Sequence, residues 1–131
     1  MAYKFQRLEV YQLALEHIDL TYSLAAALPK FEEYNLKSQI VRAATSVALN
    51  IAEGSTGQSD AEQSRFLGMA LRSPIETVAC RDIISRRGYP VGDLLQRSTE
   101  LGEKLFAKIQ ALRRALESPS ARRSAVAGRQ S

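Results

Sequence analysis

The chain has no tryptophan, one cysteine, one histidine, four prolines and seven glycines in 131 residues. A single cysteine, Cys80, excludes an internal disulfide, a zinc ribbon and a dithiol redox pair; its place on the apolar side of a helix makes it an inert core thiol. A single histidine, His17, cannot anchor a multi-histidine metal site and is expected at a partly exposed surface position. A di-iron bundle needs inward Glu-x-x-His pairs, and the chain contains none. Gly54-Ser55-Thr56-Gly57 lacks the Gly-Lys-Ser/Thr of a phosphate loop and has no preceding strand. No apolar run nears the roughly 20 residues that cross a bilayer. The acidic pairs Glu32-Glu33 and Glu100/Glu103 read as solvated surface. The expectation is therefore no enzyme, no cofactor, no metal, no membrane and no small-molecule substrate. The opening stretch MAYKFQRLEVY carries no apolar signal core, so the expected location is the cytoplasm.

What is present is enough apolar content, 45%, for one core in one domain. The net charge is +4, but Arg122, Arg123 and Arg129 lie in residues 118–131 with no acid among them. The remaining 117 residues are thus within one charge of neutral, and the basic pI of 9.5 describes mainly a tail. Residues 1–117 are read as the folded unit and 118–131 as a disordered basic tail.

Periodicity gives four helices. The first spans about 6–28, with Leu8, Tyr11, Leu15, Ile18, Tyr22 and Ala25 on one face and Pro29 as its stop. The second runs from the cap residue Asn35 to Glu53, with Gly54 expected in a left-handed C′ position. Ser59 and Glu62 have capping-box spacing and start the third, which ends at Gly88. Its face is Phe66, Ala70, Cys80 and Ile84, widened by Leu67, Leu71, Val78 and Ile83. Pro74 predicts a kink in this helix and not two helices, since the apolar pattern resumes in phase. The fourth spans about 91–117, with Leu94, Ser98, Leu101, Leu105, Leu112 and Leu116 as its stripe and Ile109 beside it. Short connections favour antiparallel neighbours, so the fold class is all-α, an up-down-up-down four-helix bundle.

The second helix is unusually poor in charge: from Leu36 to Glu53 only Lys37, Arg42 and Glu53 carry any. Leu36, Ile40, Ala43, Ala44, Val47 and Ile51 form the core stripe. Gln39, Arg42, Ser46, Asn50 and Glu53 form a narrow polar stripe beside it, either a hydrogen-bonding seam between helices or subunits, with Arg42 paired to Glu53 or Glu76, or a binding site; the structural seam is the favoured reading. The far side holds Val41, Thr45, Ala48, Leu49 and Ala52. A helix apolar on two sides is buried on two sides, so this far side is expected to meet another subunit.

The stretch from Gln39 to Gly54, QIVRAATSVALNIAEG, resembles the QxxRAxxSxxxNIAEG signature of the four-helix-bundle proteins encoded in intervening sequences of 23S ribosomal RNA. Leu28-Pro29, Tyr34-Asn35-Leu36, Arg65-Phe66-Leu67, Ser73 with Glu76, and Gly88-Tyr89 extend the resemblance over roughly 5–109. Asn35 stands where the family has glycine, and Pro74 interrupts a Gly-Ser-x-x-Glu segment. The resemblance implies a four-helix bundle assembled as a homopentameric ring, with no catalysis and no cofactor. The same superfamily includes the accessory variability proteins of diversity-generating retroelements, for which it implies a basic ring that binds nucleic acid and a reverse transcriptase. The chain resembles the intervening-sequence group more, so the reverse-transcriptase role is not carried over.

Basic residues are the remaining candidates for a binding function. Arg81, Arg86 and Arg87 lie at the end of the third helix, and Arg113 and Arg114 near the end of the fourth. Each cluster also suits its own helix C-terminus through the macrodipole. The expected function is a non-enzymatic, homo-oligomeric scaffold with weak RNA or DNA binding, aided by Arg122, Arg123 and Arg129 of the tail. The alternative is a protein-only adaptor whose ring presents helix faces to a protein partner.

Overall fold

The computed structural model describes residues 3–56 and 59–117. The tail and its arginines Arg122, Arg123 and Arg129 lie outside the described residues. Five α-helical segments follow a short 3-10 turn at Lys4–Arg7: α1 (Glu9–Ala26), α2 (Leu36–Gly54), α3 (Asp60–Ala70), α4 (Arg72–Arg87) and α5 (Leu94–Glu117). A second 3-10 turn, Lys30–Glu32, follows Pro29 between α1 and α2. No strand occurs among the described residues.

The α3 and α4 segments form one broken rod, so the architecture is a four-helix bundle. They meet at Leu71, whose backbone stays right-handed helical at φ −74° and ψ −16°. Proline at 74 has no N–H to offer the carbonyl of Ala70 and crowds the turn before it, which places the break there. The expected kink is thus a break between two segments. The rod ends at Gly88, whose φ of +70° is the left-handed conformation glycine adopts freely. At its other end the Ser59 hydroxyl accepts from the Glu62 backbone N–H at 3.1 Å, the predicted cap.

The helices form a square, with α1 packed on α2 and α5, and the α3–α4 rod packed on the same two. Glu9 pairs with Lys108 at one pole (3.1 Å), and Tyr89 with Glu32 at the other (2.7 Å), which fixes the up-down-up-down order. The core is in two halves. Val10, Leu13, Ala14, Val47, Ala48, Ile51, Leu67, Ala70, Leu105 and Ile109 fill one. Leu24, Ala25, Leu28, Leu36, Ile40, Cys80, Ile84 and Val91 fill the other. Each fully buried large aliphatic side chain contributes about 1.5–3 kcal/mol.

Five expectations are corrected. The α1 core face is Val10, Leu13, Ala14, His17, Thr21, Leu24 and Ala25. Leu15 and Tyr22 are 36% and 56% exposed, so the predicted stripe is a flank of the helix. Val78 and Ile83 are likewise half exposed. Gly54 is the last residue of α2 and has no positive φ; a Cβ there would lie 2.5 Å from Cβ of Phe66, so its smallness lets α2 and α3 approach. The fourth helix begins at Leu94, after a turn in which Gly92 has φ +59°. Asn35 makes no side-chain cap; its amide donates to Glu32 Oε1 at 3.0 Å.

Candidate functional site

The α2 core stripe is placed as predicted: Leu36, Ile40, Ala43, Ala44, Val47 and Ile51 are all buried. The polar seam lies on the outer surface. Gln39, Arg42 and Glu53 are exposed, Ser46 and Asn50 half-buried. Asn50 Nδ2 donates to the Ser46 carbonyl at 2.9 Å and to its hydroxyl at 3.2 Å, within the helix. Arg42 donates to Ser38 Oγ at 3.2 Å and, among the described residues, forms no ion pair with Glu53 or Glu76. Within one chain the seam is therefore not a buried charged network.

On the far side of α2, Val41, Thr45 and Ala52 are half-buried and Leu49 is 62% exposed. Ala48 belongs to the core instead. Beside this row, α1 offers the exposed Leu15 and Tyr22, so the α1–α2 edge is apolar. The opposite edge of the square, between α4 and α5, is apolar too: Ile75 and Val78 of α4 are 64% and 47% exposed there. Sequence periodicity assigned Val78 and Ile83 to the core because apolar residues on a helix are read as inward by default.

The basic clusters separate. Arg86 and Arg87 are exposed at the α4 end, with Arg87 beside the Tyr89 phenol, which raises its pKa further. Arg114 is exposed near the α5 end. Arg113 braces α5 to α3, its Nε 3.4 Å from Ser64 Oγ and 3.6 Å from Glu117. Arg81 departs from its expected place: it is 5% exposed and turns into the bundle.

There it joins a polar layer between the two apolar half-cores. His17 and Thr21 of α1, Thr77 and Arg81 of α4, and Ser98 of α5 are all buried. Arg81 Nη1 lies 3.4 Å from Ser98 Oγ. A Cβ at Gly102 would come 3.2 Å from Arg81 Nη2 and 3.4 Å from His17 Nε2, so the missing side chain makes their room. The Thr21 hydroxyl is spent on the His17 carbonyl and Thr77 on the Pro74 carbonyl. Both ring nitrogens of His17 lack a hydrogen-bond partner. Burial, then the Arg81 charge, lowers the His17 pKa to about 4, so the imidazole is neutral. Burial also lowers Arg81. The surface position expected for His17 is thus overturned: the missing side chain at Gly102 leaves volume for a ring at that level. A glycine inside an otherwise regular helix, beside Ser98 in the core stripe, was the available signal.

The four glutamates and the one thiol that remain have definite places. Glu32 is buried and not solvated, since Tyr89 and Asn35 both donate to it. Glu33, Glu100 and Glu103 are exposed. Cys80 is buried, and burial pushes its thiol pKa up, away from reactivity. Among the described residues no cluster of three or more His, Cys, Asp or Glu could hold a metal, and no helix is long and apolar enough to cross a membrane.

These helices define an all-helical four-helix-bundle protein. Residues 6–118 match the family model of the 23S rRNA-intervening sequence protein, and the chain belongs to that family. No curated protein matches the chain.

Proposed function

We propose that the protein is a non-enzymatic scaffold that works as a homo-oligomer, with weak nucleic-acid binding. The observation that carries it is α2, with one face in the core and Leu49 exposed on the other beside Val41, Thr45 and Ala52. Isolated exposed leucines are common. Here Leu15 and Tyr22 of α1 continue the row, so the exposed apolar surface spans two helices. Contacts between unlike faces of identical chains close into rings when the rotation permits, and the family resemblance favours five subunits.

Light scattering after size exclusion tests this: a mass several times 14.5 kDa is expected, fivefold for a pentamer. Leu49→Glu should reduce the mass to one chain while helicity persists. A wild-type monomer at micromolar concentration would sink the proposal.

Five chains would carry about fifteen tail arginines, enough for multivalent, sequence-independent RNA or DNA binding that fades steeply with salt. Removing residues 118–131 should abolish most of it. Affinity retained after that removal would shift the contact to Arg86, Arg87, Arg113 and Arg114. No binding at about 50 mM salt would favour the protein-only adaptor.

A further inference from the structure

We propose that the groove between α4 and α5 binds a monocarboxylate carried on an apolar body, its carboxylate seated on Arg81 and its hydrocarbon on Pro74, Ile75, Val78 and Phe106. The groove encloses about 280 Å³, and Arg81, Gly102 and Glu103 complete its lining. That volume falls just below the usual range for drug-sized ligand sites, about 300–1,000 Å³, and suits a short acid.

The chemistry follows from an unmatched charge. A guanidinium has five N–H donors and is always ionised. Arg81 has one hydrogen bond, the long one to Ser98, and no carboxylate within ion-pair distance among the described residues. A charge so removed from water is costly unless paired. Behind it stands His17, 1% exposed, with both nitrogens unsatisfied. One cation, one neutral imidazole and hydrocarbon walls match a single negative charge. A phosphate dianion would leave a second charge over Ile75 and Phe106 with nothing to meet it. Glu103 at the rim is exposed, repels an incoming anion and competes for Arg81. The group bound is a ligand and undergoes no reaction.

His17 is the chain's one histidine, so its imidazole NMR signals identify themselves and report on the layer directly. Hexanoate titrated into the full-length protein at pH 7 should shift them saturably, while hexanol should bind about tenfold more weakly, the ratio one charge-assisted contact supplies. Arg81→Gln should abolish the shift, and Glu103→Gln should tighten hexanoate. The proposal is overturned by any of three results: no saturable shift in the parent, equal affinity for hexanol, or unchanged hexanoate affinity in a folded Arg81→Gln. If Arg81→Gln does not fold, the acid–alcohol comparison and Glu103→Gln decide alone, and weaker or unchanged binding in the latter counts against the proposal. These readouts are independent of particle mass, so failure here leaves the assembly reading to its own test.

Discussion

The phenol of Tyr89 donates a 2.7 Å hydrogen bond to Glu32 Oε2, tying the α4–α5 turn to the α1–α2 connection. Asn35 holds the other carboxylate oxygen. The Tyr89 bond first, and then that of Asn35, hold the Glu32 carboxyl below the usual range. A depressed folded pKa contributes stability above the unfolded value, lost as pH falls through the folded one. Tyr89→Phe should lower the neutral-pH melting temperature by a few degrees and shift acid unfolding to higher pH. Thermal melts from pH 7 to 3 check both; an unchanged acid limb would mean the bond is not held in solution.

His17 gives a separate pH window. Its folded pKa is about 4 against 6.5 unfolded, so between those values the unfolded chain binds a proton that the folded chain refuses. Stability should be full above pH 6.5 and fall by roughly 3 kcal/mol on reaching pH 4. Urea unfolding at successive pH values should show this slope, and His17→Leu should flatten it. A slope that survives the substitution would belong to another group.

Two glycines should respond unequally to alanine. Helix propensity favours alanine by about 1 kcal/mol at either position. At Gly54 the new Cβ would lie 2.5 Å from Cβ of Phe66, close to a backbone that cannot swing away, so overpacking of about 1–3 kcal/mol should win. At Gly102 the neighbours are the tips of Arg81 and His17 at 3.2 and 3.4 Å, which can yield a few tenths of an ångström. Denaturant midpoints should therefore drop more for Gly54→Ala than for Gly102→Ala; the reverse order would contradict the close helix approach.

Arg42→Ala should cost a single chain no more than about 0.5 kcal/mol, since Arg42 is exposed and bonded only to Ser38 among the described residues. Calorimetry paired with light scattering checks this. A large loss of stability that tracks loss of assembly would place Arg42 across a subunit contact.

Where residue type and environment agree, the sequence was readable. Ser59, Gly88 and the α2 core stripe behave as their chemistry dictates. The misreadings of burial share one cause, the equation of buried with apolar. His17 and Thr21 occupy the true inner face of α1, so the apolar run from Leu15 to Tyr22 on its flank looked like the core. Arg81 and Glu32 were assigned to the surface for the same reason, and Val78 and Ile83 to the interior. Pairing between distant segments, such as Tyr89 with Glu32, leaves no periodic trace in a single chain. Exposed Leu49 on the far side of α2 was legible because scarcity of charge is visible in sequence, whereas Ala48 of the same row lies in the core.

The polar layer acts as a vernier for the bundle. Four helices with uniform aliphatic stripes could slide past one another by a turn at small cost, since leucine fits against leucine at many offsets. With Arg81, His17 and Ser98 at one level and the Gly102 notch opposite, a slip of one turn, about 5.4 Å, would carry a guanidinium against Leu105 of α5. One alignment spares that charge a hydrocarbon wall, so the costliest residues in the interior select the arrangement in which the cheap ones pack.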